Sequence, residues 1–317
     1  MYKIGIDIGG TNIVGGIVDV NGKIIAKKII PTLPERENGL IIADIIELCK
    51  ILANDSVVSS NSIESIGIGS PGIINPEVGI VVNATNLGFN NVPLLAMLRA
   101  ELDYPFYIGN DANCAALGES VFGAAKGSRC SVTITLGTGI GGGIIIDGNI
   151  YSGAFFGAGE VGHHIICTGG EQCACGMKGC WETYASANAL IRDTIVAAKE
   201  NPTSQIHQLI SGNLGKITAK TAFDAALFGD AAAKAVVERY INYLCAGLIN
   251  IVNIIEPEIV VIGGGVSGQG DTLIAAIEAQ MNKFAPLGDR KVRFAVAKLG
   301  NDAGIIGAAQ LMRAYHQ

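Results

Sequence analysis

Residues 160–182 read EVGHHIICTGGEQCACGMKGCWE and bring one imidazole, His163, close in sequence to three thiols, Cys173, Cys175 and Cys180. Three soft sulfur donors and one nitrogen are the ligand set of a closed tetrahedral zinc site, in which no position is left for water or substrate. Such an ion is structural: it pins a loop. The alternative is a set of buried thiols, but the glycine-flanked spacing suits a turn around an ion better than a core strand. A histidine ligand uses one ring nitrogen on the metal and leaves the other aimed in a fixed direction. Carboxylates stand at both ends, Glu160 and Glu182, and the metal needs neither. The free nitrogen, Glu160 and Glu182 are therefore expected to form one wall of a pocket for a small polyhydroxylated ligand.

Two glycine-rich turns point to a second ligand. Asp7 is followed by Gly9, Gly10, Thr11 and Asn12 between two apolar runs, which lets backbone N–H groups face phosphate oxygens while the carboxylate holds magnesium through water. Gly137, Thr138 and Gly139 repeat the layout within residues 132–150. Laying Leu136-Gly137 over Ile8-Gly9 brings Gly15-Gly16 onto Gly142-Gly143, the mark of an internal duplication. One such turn alone is an ordinary tight hairpin. Two of them, one per domain, would grip a polyphosphate from both sides. Gly264 and Gly265 follow the apolar run 258–262 and could let a nucleobase lie on backbone.

The strand expected at 105–108 empties into Asn110 and Asp111, and in open α/β sheets chemistry gathers at the carboxyl ends of strands. Asp111 is placed to accept a proton from an alcohol and Asn110 to bond a neighbouring hydroxyl; the competing reading makes Asp111 a helix cap. Gly72, in the turn Ser70-Pro71-Gly72, could present backbone to ligand or simply turn the chain.

These groups need a scaffold. Strands are expected at 3–8, 65–69 and 258–262, and helices at 37–52, 183–198, 230–255 and 301–314, the last with a small-residue stripe of Ala303, Gly304, Gly307 and Ala308. Residues 83–89 read as a polar loop. A length of 317 residues, 49% hydrophobic and 16% charged, fits two compact domains with little disorder. A net charge of −6 leaves no electrostatic footprint for nucleic acid or an anionic membrane. No secretory leader or bilayer-spanning run is expected, and eight cysteines with three in one cluster fit a reducing, cytoplasmic setting.

Taken together, Asp7-Ile8-Gly9-Gly10-Thr11, Asn110-Asp111, Glu160-Val161-Gly162-His163, the cysteine motif through Glu182, and Gly263 to Ser267 resemble the ROK family (repressor, open reading frame, kinase) of sugar kinases in the actin-like ATPase superfamily. The resemblance runs the length of the chain. It implies two actin-like (ribonuclease H-like) α/β domains, each a mixed sheet flanked by helices, with an active-site cleft between them. The lobes would be 1–111 plus 302–317, and 112–301. It further implies Asp111 as catalytic base, Asn110, Glu160, His163 and Glu182 on the sugar, structural zinc on His163, Cys173, Cys175 and Cys180, ATP with magnesium as cosubstrate, and a homodimer. A sugar-sensing repressor of the same family would carry a helix-turn-helix before the first loop, where only a few residues precede Ile4. An actin-like ATPase without a sugar pocket would have no use for Asn110-Asp111 beside the metal motif.

Overall fold

The structure, a computed structural model, describes residues 1–58, 62–284 and 291–315. The chain opens with β1 (Tyr2–Ile8), β2 (Asn12–Val18) and β3 (Ile24–Pro31), joined as antiparallel hairpins, followed by α1 (Asn38–Ala53) and by β4 (Ile63–Ser70), which runs parallel to β1. Three short strands, β5 (Ile73–Asn75), β6 (Ile80–Ala84) and β7 (Phe89–Val92), form a sheet of their own. Next come α2 (Leu94–Glu101), β8 (Phe106–Asn110), parallel to β4, and α3 (Asp111–Val121). A second series starts with β9 (Cys130–Leu136), β10 (Ile140–Ile146) and β11 (Asn149–Ile150). It continues through α4 (Glu182–Ala185), α5 (Ala187–Glu200), α6 (Ile206–Leu209), α7 (Thr221–Leu227) and α8 (Ala231–Ile255). The chain closes with β12 (Ile259–Gly263), α9 (Asp271–Phe284), β13 (Arg293–Val296), α10 (Ala303–Ala308) and α11 (Leu311–Tyr315).

The two large sheets share one plan. Their orders are β3-β2-β1-β4-β8 and β11-β10-β9-β12-β13, so each reads third, second, first, fourth, fifth along the chain. This is the duplication expected from the sequence, with one correction. β1 and β2 each have seven residues with three between them, and so do β9 and β10, so Gly15 falls on Gly143 and Gly16 on Ile144, not on Gly142-Gly143.

The residues divide into two compact units, 1–133 with 143–159 and 298–317, and 134–142 with 160–297. These borders differ from the expected lobes, because α3 belongs with the first sheet. Alternation along β1 sends Ile4, Ile6 and Ile8 into a core with Ile41, Ile45, Leu48 and Leu52 of α1, while Gly5 and Asp7 face the other way. On that second face lies α10, so close that a Cβ on Gly5 or Gly67 would sit 1.9 or 1.8 Å from a carbonyl oxygen of Ile305 or Ala308. A Cβ on Gly307 would stand 1.6 Å from the Cys114 carbonyl oxygen of α3. The small-residue stripe packs tightly as expected, although the expected single helix breaks into α10 and α11.

Other expectations shift for local reasons. Residues 83–89 are not a loop throughout: Asn83 and Ala84 pair with Asn90 and Phe89 in a hairpin whose Phe89 and Leu87 are buried. The helix expected over 183–198 is interrupted at Ser186, whose hydroxyl caps α5 by accepting from the Ala189 N–H.

In the second unit α8 is long and apolar enough to cross a membrane by length and composition, yet half of that stretch is buried inside the protein. The chain's single tryptophan, Trp181, is fully buried, and its indole N–H donates to the Tyr243 carbonyl of α8 at 2.9 Å. Its ring lies on Gly247, where a Cβ would meet indole carbon at 2.1 Å. Gly247→Ala would gain about 1 kcal/mol of helix propensity but force an overpacked contact costing roughly 1–3 kcal/mol. The expected outcome is a net loss of stability in denaturant titration, with a shifted Trp181 emission in the folded state.

Candidate active site

In the first unit the carboxyl ends of β1 and β8 carry Asp7 and Asp111. Asp111 is the first residue of α3, and its own Oδ1 accepts from the Ala112 N–H at 2.9 Å. The helix cap is the preceding residue: Asn110 Oδ1 accepts from the Asn113 N–H at 3.1 Å. Because Asn110 caps, Asp111 is spared that task. The Asn110 amide also donates to the Gly72 carbonyl at 3.0 Å. Gly72 has φ +88°, and a Cβ there would lie 1.9 Å from the Asn83 carbonyl oxygen. Gly72 thus aims Asn110.

Burial raises the pKa of Asp7 to about 7, and the neighbouring charge of Asp111 adds to the effect. Burial also pushes Asp111 upward, opposed by its hydrogen bonds from backbone and from Asn110. Two desolvated carboxylates facing each other are costly unless a proton or a cation joins them. Behind Asp7 the β1–β2 turn is closed by Gly9 N–H donating to the Asn12 carbonyl at 2.9 Å. Thr32 braces the turn, its hydroxyl donating to Gly9 O at 2.6 Å and its N–H to Thr11 O at 2.9 Å. A Cβ on Gly10 would meet nothing within 4 Å, so this turn presents open backbone.

In the second unit the four residues of the Cys/His motif come together. The ligand atoms of His163, Cys173, Cys175 and Cys180 all lie within 4.8 Å of one another. Cys175 Sγ is 3.6 Å from Cys180 Sγ, and Cys173 Sγ is 3.6 Å from His163 Nδ1. A tetrahedron with metal–sulfur bonds of about 2.3 Å has edges of about 3.8 Å, so the donors fit zinc. Nδ1 of His163 faces the thiols, while Nε2 is 4.0 Å from Glu160 Oε2. The free nitrogen is therefore Nε2, on the Glu160 side.

Glu182, the first residue of α4, connects this cluster to the other glycine turn. Its Oε1 accepts from Cys173 Sγ at 3.0 Å and lies 3.6 Å from His163 Nδ1. Its Oε2 faces the Ile140 N–H at 3.4 Å, and a Cβ on Gly139 would touch the same oxygen at 2.5 Å. Gly137 O accepts from Ala187 N–H at 2.9 Å, fixing the turn Gly137-Thr138-Gly139 to the start of α5. Gly264, with φ +80°, packs on the end of β9, where a Cβ would stand 2.5 Å from Leu136 O, whereas Gly265 borders open space. Gly264 is thus demanded by packing against the strand that feeds the turn.

Sequence reasoning placed Asp7 with its own glycine turn, Asn110 beside Asp111, and Glu160, His163 and Glu182 with the cysteines; the structure adds that Asp7 lies in the field of Asp111. Sequence reasoning missed Thr32, Asn113 and Tyr184. The Tyr184 hydroxyl accepts from the Glu171 N–H at 2.6 Å and ties the metal loop to α4; Asn113 keeps a buried Oδ1 with no partner. Only Asn113, next to the Asn110-Asp111 pair, had a signal in the sequence.

The family model of the ROK family matches residues 3–315. The chain belongs to the ROK family. It is 39% identical to a glucokinase of Halalkalibacterium halodurans over 98% of this chain and 95% of that protein. It is 29% identical to a xylose repressor of Caldicellulosiruptor bescii, over 98% of this chain and 77% of that protein. Among solved structures it is similar to a ROK family glucokinase from Streptomyces griseus in complex with glucose and AMPPNP, with TM-score 0.82, 33% identity, and coverage of 98% and 99%. The two-domain α/β fold of mixed sheets is thus that of ROK sugar kinases.

The raised pKa of Asp7 has a definite sign. Folding takes up a proton at this group between about pH 4 and about pH 7, so its ionisation works against the fold as pH rises through that window. Asp7→Asn removes the penalty. The expected outcome is a melting temperature raised more at pH 8 than at pH 5.5, by a stability difference of about 2 kcal/mol, read by calorimetry without added metal.

Proposed function

We propose that this ROK family chain is an ATP-dependent kinase that moves the γ-phosphoryl group of ATP to a hydroxyl of glucose, giving glucose 6-phosphate. One observation carries the reading: Asp111, desolvated and freed from capping by Asn110, stands at a strand end beside Asp7 and an open glycine turn. The glucokinase relatives and the glucose and AMPPNP complex of the Streptomyces griseus protein support the same choice of substrates.

In this reading the attacking sugar hydroxyl gives its proton to Asp111, whose raised pKa brings it toward the range where a carboxylate is an effective base near neutral pH. Asn110 bonds a neighbouring hydroxyl. Glu160, His163 through Nε2, and Glu182 bond the other hydroxyls. Backbone N–H groups of Gly9 to Asn12 and Gly137 to Gly139 receive phosphate oxygens, and Gly264 and Gly265 border the nucleoside. Asp7 would hold magnesium through water, and the ion would offset charge on the phosphoryl oxygens. His163, Cys173, Cys175 and Cys180 would hold a structural zinc that fixes the direction of Nε2. Reduced thiols of this kind suit a cytoplasmic enzyme, and we expect a homodimer, which sedimentation tests.

Replacing Asp111 by Asn should lower kcat roughly 1,000-fold and leave glucose affinity within several fold, measured by coupled ADP release and by equilibrium binding. Turnover near that of the unaltered enzyme would remove Asp111 from the base role. A panel of glucose, N-acetylmannosamine, N-acetylglucosamine, fructose, mannose and allose in the same assay ranks the acceptors by kcat/KM; glucose should lead. Absence of turnover with every sugar would favour a sensing role like that of the xylose repressors.

Chelation tests the metal. Metal analysis should find one zinc per chain, and its removal should lower the melting temperature, weaken glucose binding and change the emission of Trp181, which follows ligand Cys180 directly. An active, metal-free protein with unaltered fluorescence would refute a structural zinc.

A further inference from the structure

The mechanism leaves one fully buried carboxylate without a task. Glu119 of α3 is 0% exposed and is surrounded by backbone donors. Its Oε2 accepts from the Ala124 N–H at 2.7 Å and the Lys298 N–H at 3.2 Å, and its Oε1 from the Leu299 N–H at 2.7 Å. Burying a charge costs several kcal/mol unless hydrogen bonds replace its hydration, and three backbone donors do so here. Two of them lie about 180 residues further along the chain, in the segment that leads into α10.

That segment matters because of what it carries. α10 presents Gly304 to Asp7, with the site of a Cβ only 2.3 Å from Asp7 Oδ2, and Gly307 to the Cys114 carbonyl of α3. One turn further along α3, a Cβ on Gly118 would stand 2.7 Å from Ala303 O and 3.1 Å from Gly307 N. Helix α3 and helix α10 therefore meet backbone to backbone, with few side chains to set how far one slides along the other. Glycine contacts bring the helices close; they do not fix the axial register. Glu119 does, by holding Lys298 and Leu299 at a set height on α3. Asp111 begins α3, and Asp7 lies under α10.

We infer that Glu119 is a positioning residue that sets the separation of Asp7 and Asp111 by locking the register of α3 against the 298–308 segment. The inference rests on the kinase reading, since it assigns those two carboxylates to one reaction. A displacement near 1 Å at reacting groups costs up to about 100-fold in rate.

The test uses the full chain. Glu119→Gln keeps the volume but swaps an acceptor oxygen for a donor that faces backbone N–H; Glu119→Ala leaves the donors unpaired. For each variant, kcat, glucose KM and the melting temperature are measured, with assays well below the melting point. Leu52→Ala, in the core on the opposite face of the first sheet, serves as the control of comparable instability. The expected result for folded Glu119→Gln is a roughly 10- to 100-fold fall in kcat with glucose KM within about threefold, while Leu52→Ala keeps its kcat. A kcat retained in folded Glu119→Gln, or a fall matched by Leu52→Ala, overturns the inference and leaves the kinase reading intact. Only an inactive unaltered protein would sink that reading. Should both Glu119 variants fail to fold, Gly118→Ala decides, because its new methyl shifts the same two helices without touching the carboxylate: kcat must fall with glucose KM kept, and an unchanged kcat overturns the proposal.

Discussion

The first unit depends on a contact that side chains cannot make. Helix α10 lies against β1, β4 and α3 at distances only glycine allows, with Gly5, Gly67, Gly118 and Gly307 all facing main-chain atoms of neighbouring elements. Dispersion between backbones at such range is dense, and the surrounding isoleucines and leucines of the core supply the apolar burial that offsets the entropy of these flexible residues. The same closeness holds the polar side chain at the end of β1 hard against Gly304 of α10. That side chain is Asp7, and its desolvation follows from the packing rather than from any feature of its own loop.

Duplication explains why the chemistry has two similar turns and two unlike surroundings. Both sheets begin with a hairpin of two seven-residue strands and keep the same strand order, so both glycine turns leave from the same place on the fold. What packs behind each turn then diverged. Thr32 from the third strand braces the first, whereas Glu182 and the start of α5 brace the second. Through Glu182 the second turn is mechanically joined to the Cys/His loop, one carboxylate facing both Cys173 and the Ile140 N–H.

Much of this was legible in the sequence where the chemistry is local. The His163–Cys180 spacing, the glycine turns and the Asn110-Asp111 pair each declare themselves within a few residues, and the family resemblance drew them together. Roles set by distant partners were not legible. Asn110 rather than Asp111 caps α3 because the Gly72 carbonyl, far back in the chain, turns its amide. The hairpin of β6 and β7 hid in a polar stretch because the buried residues of 83–89 are Ala84, Leu87 and Phe89, a spacing in which no period-2 pattern shows. Glu119 looked like one more charge on a helix; nothing nearby in the sequence tells that its partners are backbone amides at 298 and 299.

The place of α10 in the chain also dictates an order of events during synthesis. The strands β1 and β4 emerge from the ribosome early, yet one face of their sheet is roofed by residues 303–308, which are made long after them. Until they arrive, β1 and β4 show an uncovered strip of glycine backbone, while residues 160–297 are already free to fold. Asp7 therefore acquires its environment only once α10 has been made, and a chain cut short before residue 303 would lack the helix whose closeness desolvates that carboxylate.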